Sequence, residues 1–156
     1  MSFSYIRKRN EKSKLTYEIR FLDSFAFMLS SLDSLSKNLP EDKFIISKNY
    51  YNREATISGG NQNYEIFKLM KRKGVYPYEY IDSFKKYDEP KLPGIKMFDD
   101  ALNGVKCQIE NYNHGKKVFI ITKCRNLRDY TLKYMTNDVL LLADVFETFR
   151  ETCMKN

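Results

Sequence analysis

The sequence predicts an α+β fold, a β-hairpin at the N-terminus followed by a mostly helical remainder, within one domain over residues 1–156. Three observations carry that expectation. Phe3 and Tyr5, then Leu15, Tyr17, Ile19 and Phe21, alternate with polar neighbours, the period of half-buried strands. Leu127, Tyr130, Tyr134, Leu141, Leu142, Val145 and Phe149 fall on the three-and-four spacing of a helix. A chain of 156 residues is long enough to bury a core of its own.

Composition narrows the class. Hydrophobic content of 42% with 30% charged residues reads as soluble and globular. No apolar run reaches bilayer length and no signal-peptide core opens the chain, so an intracellular protein without a membrane partner is expected. The net charge of +7 suits a polyanion such as nucleic acid, although basic proteins without one are common. Cys107, Cys124 and Cys153 are odd in number and lack metal-ligand spacing, which predicts reduced thiols. His114 is the only histidine, leaving Ser-His or Cys-His catalysis without local support.

Taken in order, residues 2–24 form the predicted hairpin, with Arg7, Lys8, Arg9, Lys12 and Lys14 clustered at its turn. That cluster reads as a solvated tip, with phosphate contact as the alternative. Asp23 and Ser24 stop the second strand, and Phe25, Phe27 and Met28 are expected in the core. The region 30–123 mixes helices and loops. A short helix is predicted from Ser31 to Leu39, ended by Pro40. Residues 40–62 carry the loop signals Asn49, Asn52, Gly59 and Gly60 around the apolar patch Phe44-Ile45-Ile46. Asn63 to Lys73 reads as a helix with Gly74 at its C′ position and Lys71, Arg72 and Lys73 at its negative end. Residues 76–93 are aromatic and turn-rich. Helices are predicted for 95–103 and for 108–123, the latter packing Ile109, Tyr112, Val118 and Ile121 despite Gly115.

The last predicted helix, 126–153, has the clearest signal. Asn126 is a good N-cap, Asp129 favours the positive end, and no Gly or Pro interrupts. Tyr134 and Asp138 are four apart and share a face, which continues toward the core through Leu142, Val145 and Phe149. A carboxylate on a burying stripe is costly unless a metal, cation or donor meets it. Asp138 is therefore the leading candidate for a functional residue.

Tyr134-Met135-Thr136-Asn137-Asp138 has the Tyr-x-x-x-Asp form of the third exonuclease motif of family B DNA polymerases. The run Val139 to Arg150 resembles the continuation found in their protein-primed branch, of viral, linear-plasmid and Polinton-like mobile elements. Lys73 to Ser83 (KGVYPYEYIDS) and Phe21-Leu22-Asp23-Ser24-Phe25 resemble two further segments, in the family's order. The resemblance covers roughly Leu15 to Arg150.

It implies an incomplete ribonuclease-H-like 3′–5′ exonuclease domain, belonging to a DNA-directed DNA polymerase (a nucleotidyltransferase) that replicates and proofreads DNA. Such sites hold two magnesium ions on four carboxylates. By resemblance Asp138 is the fourth carboxylate and metal ligand, and Tyr134 the phenol that positions the attacking water. A Ser/Thr-Leu-x-x-apolar box implies DNA contacts for Ser24, Phe25 and Met28, with Ser31-Leu32-Asp33-Ser34-Leu35 as the alternative register. Lys71, Arg72 and Lys73 would lie near the nucleic-acid path. Implied partners are a single-stranded 3′ end, primer-template DNA and a priming terminal protein.

Departures from the pattern limit the chemistry. There is no Asp-x-Glu pair and no second exonuclease motif before Phe21, and both are expected to lie ahead of Met1. Asp23, Asp129 and Asp144 read as a strand end, a helix cap and an exposed helix position. Tyr80-Ile81-Asp82-Ser83 lacks the second aspartate of the polymerase motif Tyr-x-Asp-Thr-Asp-Ser, and the other polymerase motifs are missing. The expectation is the C-terminal part of an exonuclease domain, inactive alone, with Asp138 facing an open cleft. A non-catalytic single-strand-binding module and a helical interaction protein are the alternatives.

Overall fold

Strands β1 (Phe3–Lys8) and β2 (Thr16–Phe21) pair antiparallel in the computed structural model, with Phe3 opposite Phe21 and Tyr5 opposite Ile19. The structure describes residues 3–8, 16–21, 23–58 and 63–155. The basic hairpin turn with Arg9, Lys12 and Lys14, together with Gly59 and Gly60, lies outside the described residues. So do the side chains of Arg7, Lys8, Tyr17, Phe25 and Tyr64.

The chain divides into two compact units, Met1–Ser31 and Leu32–Asn156. The first holds the hairpin and α1 (Phe25–Met28), a single turn whose start is bonded to the carbonyls of Asp23 and Ser24. Phe27 is nearly half exposed rather than in the core. Met28, the next residue, is half-buried.

The second unit is helical: α2 (Leu32–Lys37), α3 (Ile45–Ser58), α4 (Asn63–Met70), α5 (Ile109–Ile121) and α6 (Leu127–Met154). Short 3₁₀ turns cover Glu41–Lys43, Phe84–Asp88 and Ile95–Phe98. α6 packs against α2 and α3, α3 against α4, and α4 against α5. Phe44, Tyr51, Phe67, Met70, Phe98, Val118, Tyr130 and Leu141 form the shared core. Each such side chain contributes about 1.5–3 kcal/mol on burial. With a two-stranded hairpin and an α-rich remainder, the fold class is α+β. Among the described residues no helix is long and apolar enough to cross a membrane.

α6 begins where its sequence says. The Asn126 side chain accepts from the Asp129 amide at 3.0 Å, and the Asp129 carboxylate accepts from the Arg125 amide and guanidinium. α5 ends in a Schellman turn: Lys123, at φ +54°, takes the left-handed C′ position, and the Cys124 amide donates to the Phe119 carbonyl at 3.0 Å. Gly115 of α5 leaves room for the side chains of Tyr130 and Val75. A Cβ there would stand 3.0 Å from the Tyr130 hydroxyl and 3.2 Å from Val75.

Several expectations are corrected. Residues 45–58, expected as loop, form α3. Asp144 is not an exposed helix position but is 1% accessible, and it caps that helix from α6. Its carboxylate accepts from the Ile46 amide (2.7 Å), the Ser47 amide (3.1 Å) and the Ser47 hydroxyl (2.5 Å). Helix 63–73 stops at Met70, so Gly74 is no C′ residue; it lies against the Tyr134 ring, 3.4 Å from where its Cβ would be. Residues 95–103 shorten to one 3₁₀ turn, because Asp99 caps the Cys107 amide and Asp100 bonds Asn103 into a turn. The buried face of α6 runs through Tyr130, Thr131, Tyr134, Asn137, Leu141, Asp144 and Val145, leaving Leu142 exposed; Ile109 of α5 is exposed too.

Candidate functional site around Tyr134 and Asp138

Tyr134 and Asp138 stand one turn apart on α6, and contacts from three directions fix the rotation of that turn. Asn137, buried between them, donates from Nδ2 to the Arg72 carbonyl (3.1 Å) and accepts from the Tyr51 hydroxyl (3.0 Å). Tyr130 donates to the Val75 carbonyl at 2.6 Å, and Tyr76 shares a hydrogen bond with Thr131 at 3.0 Å. Segment 72–76 is thereby laced along α6 by backbone and hydroxyl groups.

The phenol of Tyr134 is part of an aromatic cluster. Its ring stacks on Tyr76 at 4.9 Å and meets Tyr78 edge-on at 6.2 Å, while its hydroxyl shares a 2.8 Å hydrogen bond with that of Tyr78. Burial, the Tyr78 hydrogen bond and the nearby Asp138 carboxyl all push its pKa up, so this hydroxyl stays protonated. It can donate or orient; it does not act as a phenolate.

Asp138 is half-buried, and its Oδ1 has no hydrogen-bond partner among the described residues. Burial pushes its pKa up, opposed by the Lys73 ammonium and by the Tyr134 phenol. The sequence argument that this acid is costly where it stands therefore holds in the fold. It is not in bulk solvent, and no guanidinium among the described residues holds it.

A groove of about 580 Å³ opens beside the pair, lined by Lys73, Tyr76, Tyr78, Phe98 and Tyr134 among others. Asp138 is not among the residues that line this groove. Glu79, Asp99 and Asp100 also line it, outnumbering Lys73.

Compared with protein-family models, curated proteins and solved structures, the chain matches none. The site has to be judged on its own residues.

Magnesium requires several oxygen ligands in near-octahedral order. The cation acting on Asp138 is the Lys73 ammonium, and no three His, Cys, Asp or Glu side chains among the described residues could share an ion. These residues do not fit a two-metal centre, and no metal-dependent step is derived for them.

Lys71 pairs with Glu41 at 3.2 Å, the Arg72 guanidinium donates to Asn111 Oδ1 at 2.5 Å, and only Lys73 reaches the groove. Lys71 and Arg72 thus have protein partners, although the buried Arg72 Nε has none among the described residues. Ser24 and Met28 are half-buried in the first unit, and the Phe25 side chain lies outside the described residues. His114 Nε2 is 2.9 Å from the Leu69 carbonyl, and burial lowers its pKa, as for a packed, neutral histidine. Burial raises the Cys107 and Cys124 thiols, so neither is an activated nucleophile. Sequence reasoning missed the buried carboxylate, Asp144, whose role is structural.

Proposed function

We propose that the chain is the C-terminal part of a ribonuclease-H-like 3′–5′ exonuclease domain of the protein-primed family B polymerase type, catalytically inert by itself. The reading is supported by three ordered segments that resemble that branch. The structural observation that carries it is the Tyr134–Asp138 pair: a phenol kept protonated, and one turn away a carboxyl with a buried oxygen that nothing described here satisfies. A buried polar atom without a partner is uncommon, and costs about 1–3 kcal/mol. Its retention fits a position whose ligand belonged to a larger site.

In that larger site the carboxylate would hold one of two divalent ions and the phenol would orient water at the scissile phosphodiester of a DNA 3′ end. Here the remaining acids are missing, so the prediction is absence of turnover. Incubation of the chain with a 3′-labelled single strand and magnesium should release no nucleotide above a no-protein control. Magnesium-dependent release that Asp138→Ala abolishes would overturn the inert assignment. The lineage is tested separately: an Asp-x-Glu frame upstream, or a Tyr-x-Asp-Thr-Asp-Ser frame downstream, in the flanking DNA is the expected finding. Unrelated intact genes on both sides would remove the polymerase parentage.

A further inference from the structure

α6 carries a second apolar stripe that the core does not use. From Leu132 to Phe146 the exposed positions of the helix are Leu132, Met135, Val139, Leu142 and Phe146, every one of them apolar. Val139 is 67% accessible, Leu132 59% and Met135 58%. Charges that would ordinarily cover the solvent face of a surface helix are absent for four turns. The spacing is three, four, three, four, and Phe149 extends it by one step, which is the alternation of a coiled-coil seam. Thr136 and Ala143 beside the stripe are small, so a second helix can come close.

We propose that this face of α6 is a homodimer interface, in which α6 of a second copy packs antiparallel along it. The area fits a modest dimer. At these accessibilities the stripe exposes roughly 500 Å² per copy, comparable to the largest apolar patch on an ordinary monomer. A pair would bury roughly 1,000 Å², the threshold of a specific interface. The seam's period selects a helix as the occupant, since a strand would present side chains every second residue. The flanking charges select the direction. The N-terminal turns carry Arg128 and Lys133 against Asp129, whereas the C-terminal turns carry Glu147 and Glu151 against Arg150; Arg128 also pairs with Asp88 and Glu151 with Lys43, at the edges of the stripe. A parallel pair would lay the basic ends together, with helix dipoles aligned; an antiparallel pair sets basic beside acidic and opposes the dipoles. The layers are then Leu132 against Phe149, Met135 against Phe146 and Val139 against Leu142.

Sedimentation velocity on the full chain, from about 1 μM to about 200 μM, brackets the dissociation constant on the order of 10 μM that such an interface supports. The expected result is a shift from monomer to dimer across that range. Val139→Glu places a charge in the middle layer and should weaken association by about 100-fold or more. Its circular dichroism should stay unchanged, because Val139 is not in the core. Ile19→Lys, on the half-exposed apolar face of the hairpin, should leave the dimer intact. A chain that stays monomeric throughout, a dimer that survives Val139→Glu, or one lost with Ile19→Lys would each overturn the proposal. For direction, Met135→Cys and Phe146→Cys are prepared in a Cys153→Ser background. They should form a disulfide when mixed and not when oxidised separately; an efficient Met135→Cys self-disulfide would refute the antiparallel pair.

Discussion

Truncating Asp144 should unfold the protein more readily than any other single loss on α6. Its carboxylate, 1% accessible, accepts three hydrogen bonds at 2.5–3.1 Å from Ile46 and Ser47, the second and third residues of α3. Those are the amides an N-cap side chain normally satisfies, and the residue in the cap position, Phe44, has no acceptor to offer them. Hydrogen bonds to a charged acceptor are worth about 1.5–3 kcal/mol each, and a carboxylate at a partly buried helix N-terminus gains up to ~2 kcal/mol from the dipole. The contributions are not additive. A reasonable total for Asp144→Ala is about 3–5 kcal/mol, the cost of breaking one side of a buried charged contact. Asp144→Asn keeps an acceptor but loses the charge, and should cost about 2 kcal/mol. Urea unfolding followed by far-ultraviolet circular dichroism measures both, as a lower midpoint at unchanged slope. Amide exchange at Ile46 and Ser47 should accelerate in the alanine variant before global unfolding does. A loss below about 1 kcal/mol for Asp144→Ala would refute the claim that α3 is started from α6.

Three further outcomes are expected. Gly115→Ala should destabilise by about 1–2 kcal/mol, because overpacking against the Tyr130 hydroxyl, itself pinned to the Val75 carbonyl, outweighs the ~1 kcal/mol propensity gain. A higher urea midpoint would disprove the close approach. Lys123→Gly relieves a left-handed residue at the end of α5 and should stabilise by about 0.5–1 kcal/mol in the same assay; a loss would show that the lysine side chain holds the turn. Burial raises the Asp138 pKa above its unfolded value near 3.8, so its contribution to stability is present below that pH and is lost as pH rises through the folded pKa. Asp138→Asn should therefore stabilise at neutral pH with the gain vanishing toward pH 3.8, and destabilisation at pH 7 would mean that Lys73 more than compensates for burial.

What could be read from the sequence was local. The α6 cap needs only Asn126 and Asp129, three residues apart, and the hairpin needs only its own alternation, so both were legible and both are present. α3 was not, because its start signal is supplied by a residue 97 or more positions away. The buried side of α6 was misplaced for a related reason. Counting apolar residues favours Leu142 and Phe149, whereas the true face carries Thr131, Asn137 and Asp144. That row of polar residues at near-sevenfold spacing was the available signal, and it marks where hydrogen bonds rather than area align the helix. Gly74 was assigned to a helix end because its other use, room for the Tyr134 ring, exists only in three dimensions. The Tyr134–Asp138 pairing followed from helix periodicity, but no one-dimensional pattern could reveal that Asp138 lies outside the groove its neighbour lines.

Asn137 ties together the helix, the Tyr51 phenol and the Arg72 carbonyl, and the turn carrying the candidate site cannot rotate without breaking both bonds. Selection on foldability alone would then preserve the orientation of residues 134 and 138, with or without selection on any reaction. The geometry of such a turn is decoupled from whatever its side chains do: Tyr134 and Asp138 keep their bearing as long as Asn137 keeps its two bonds.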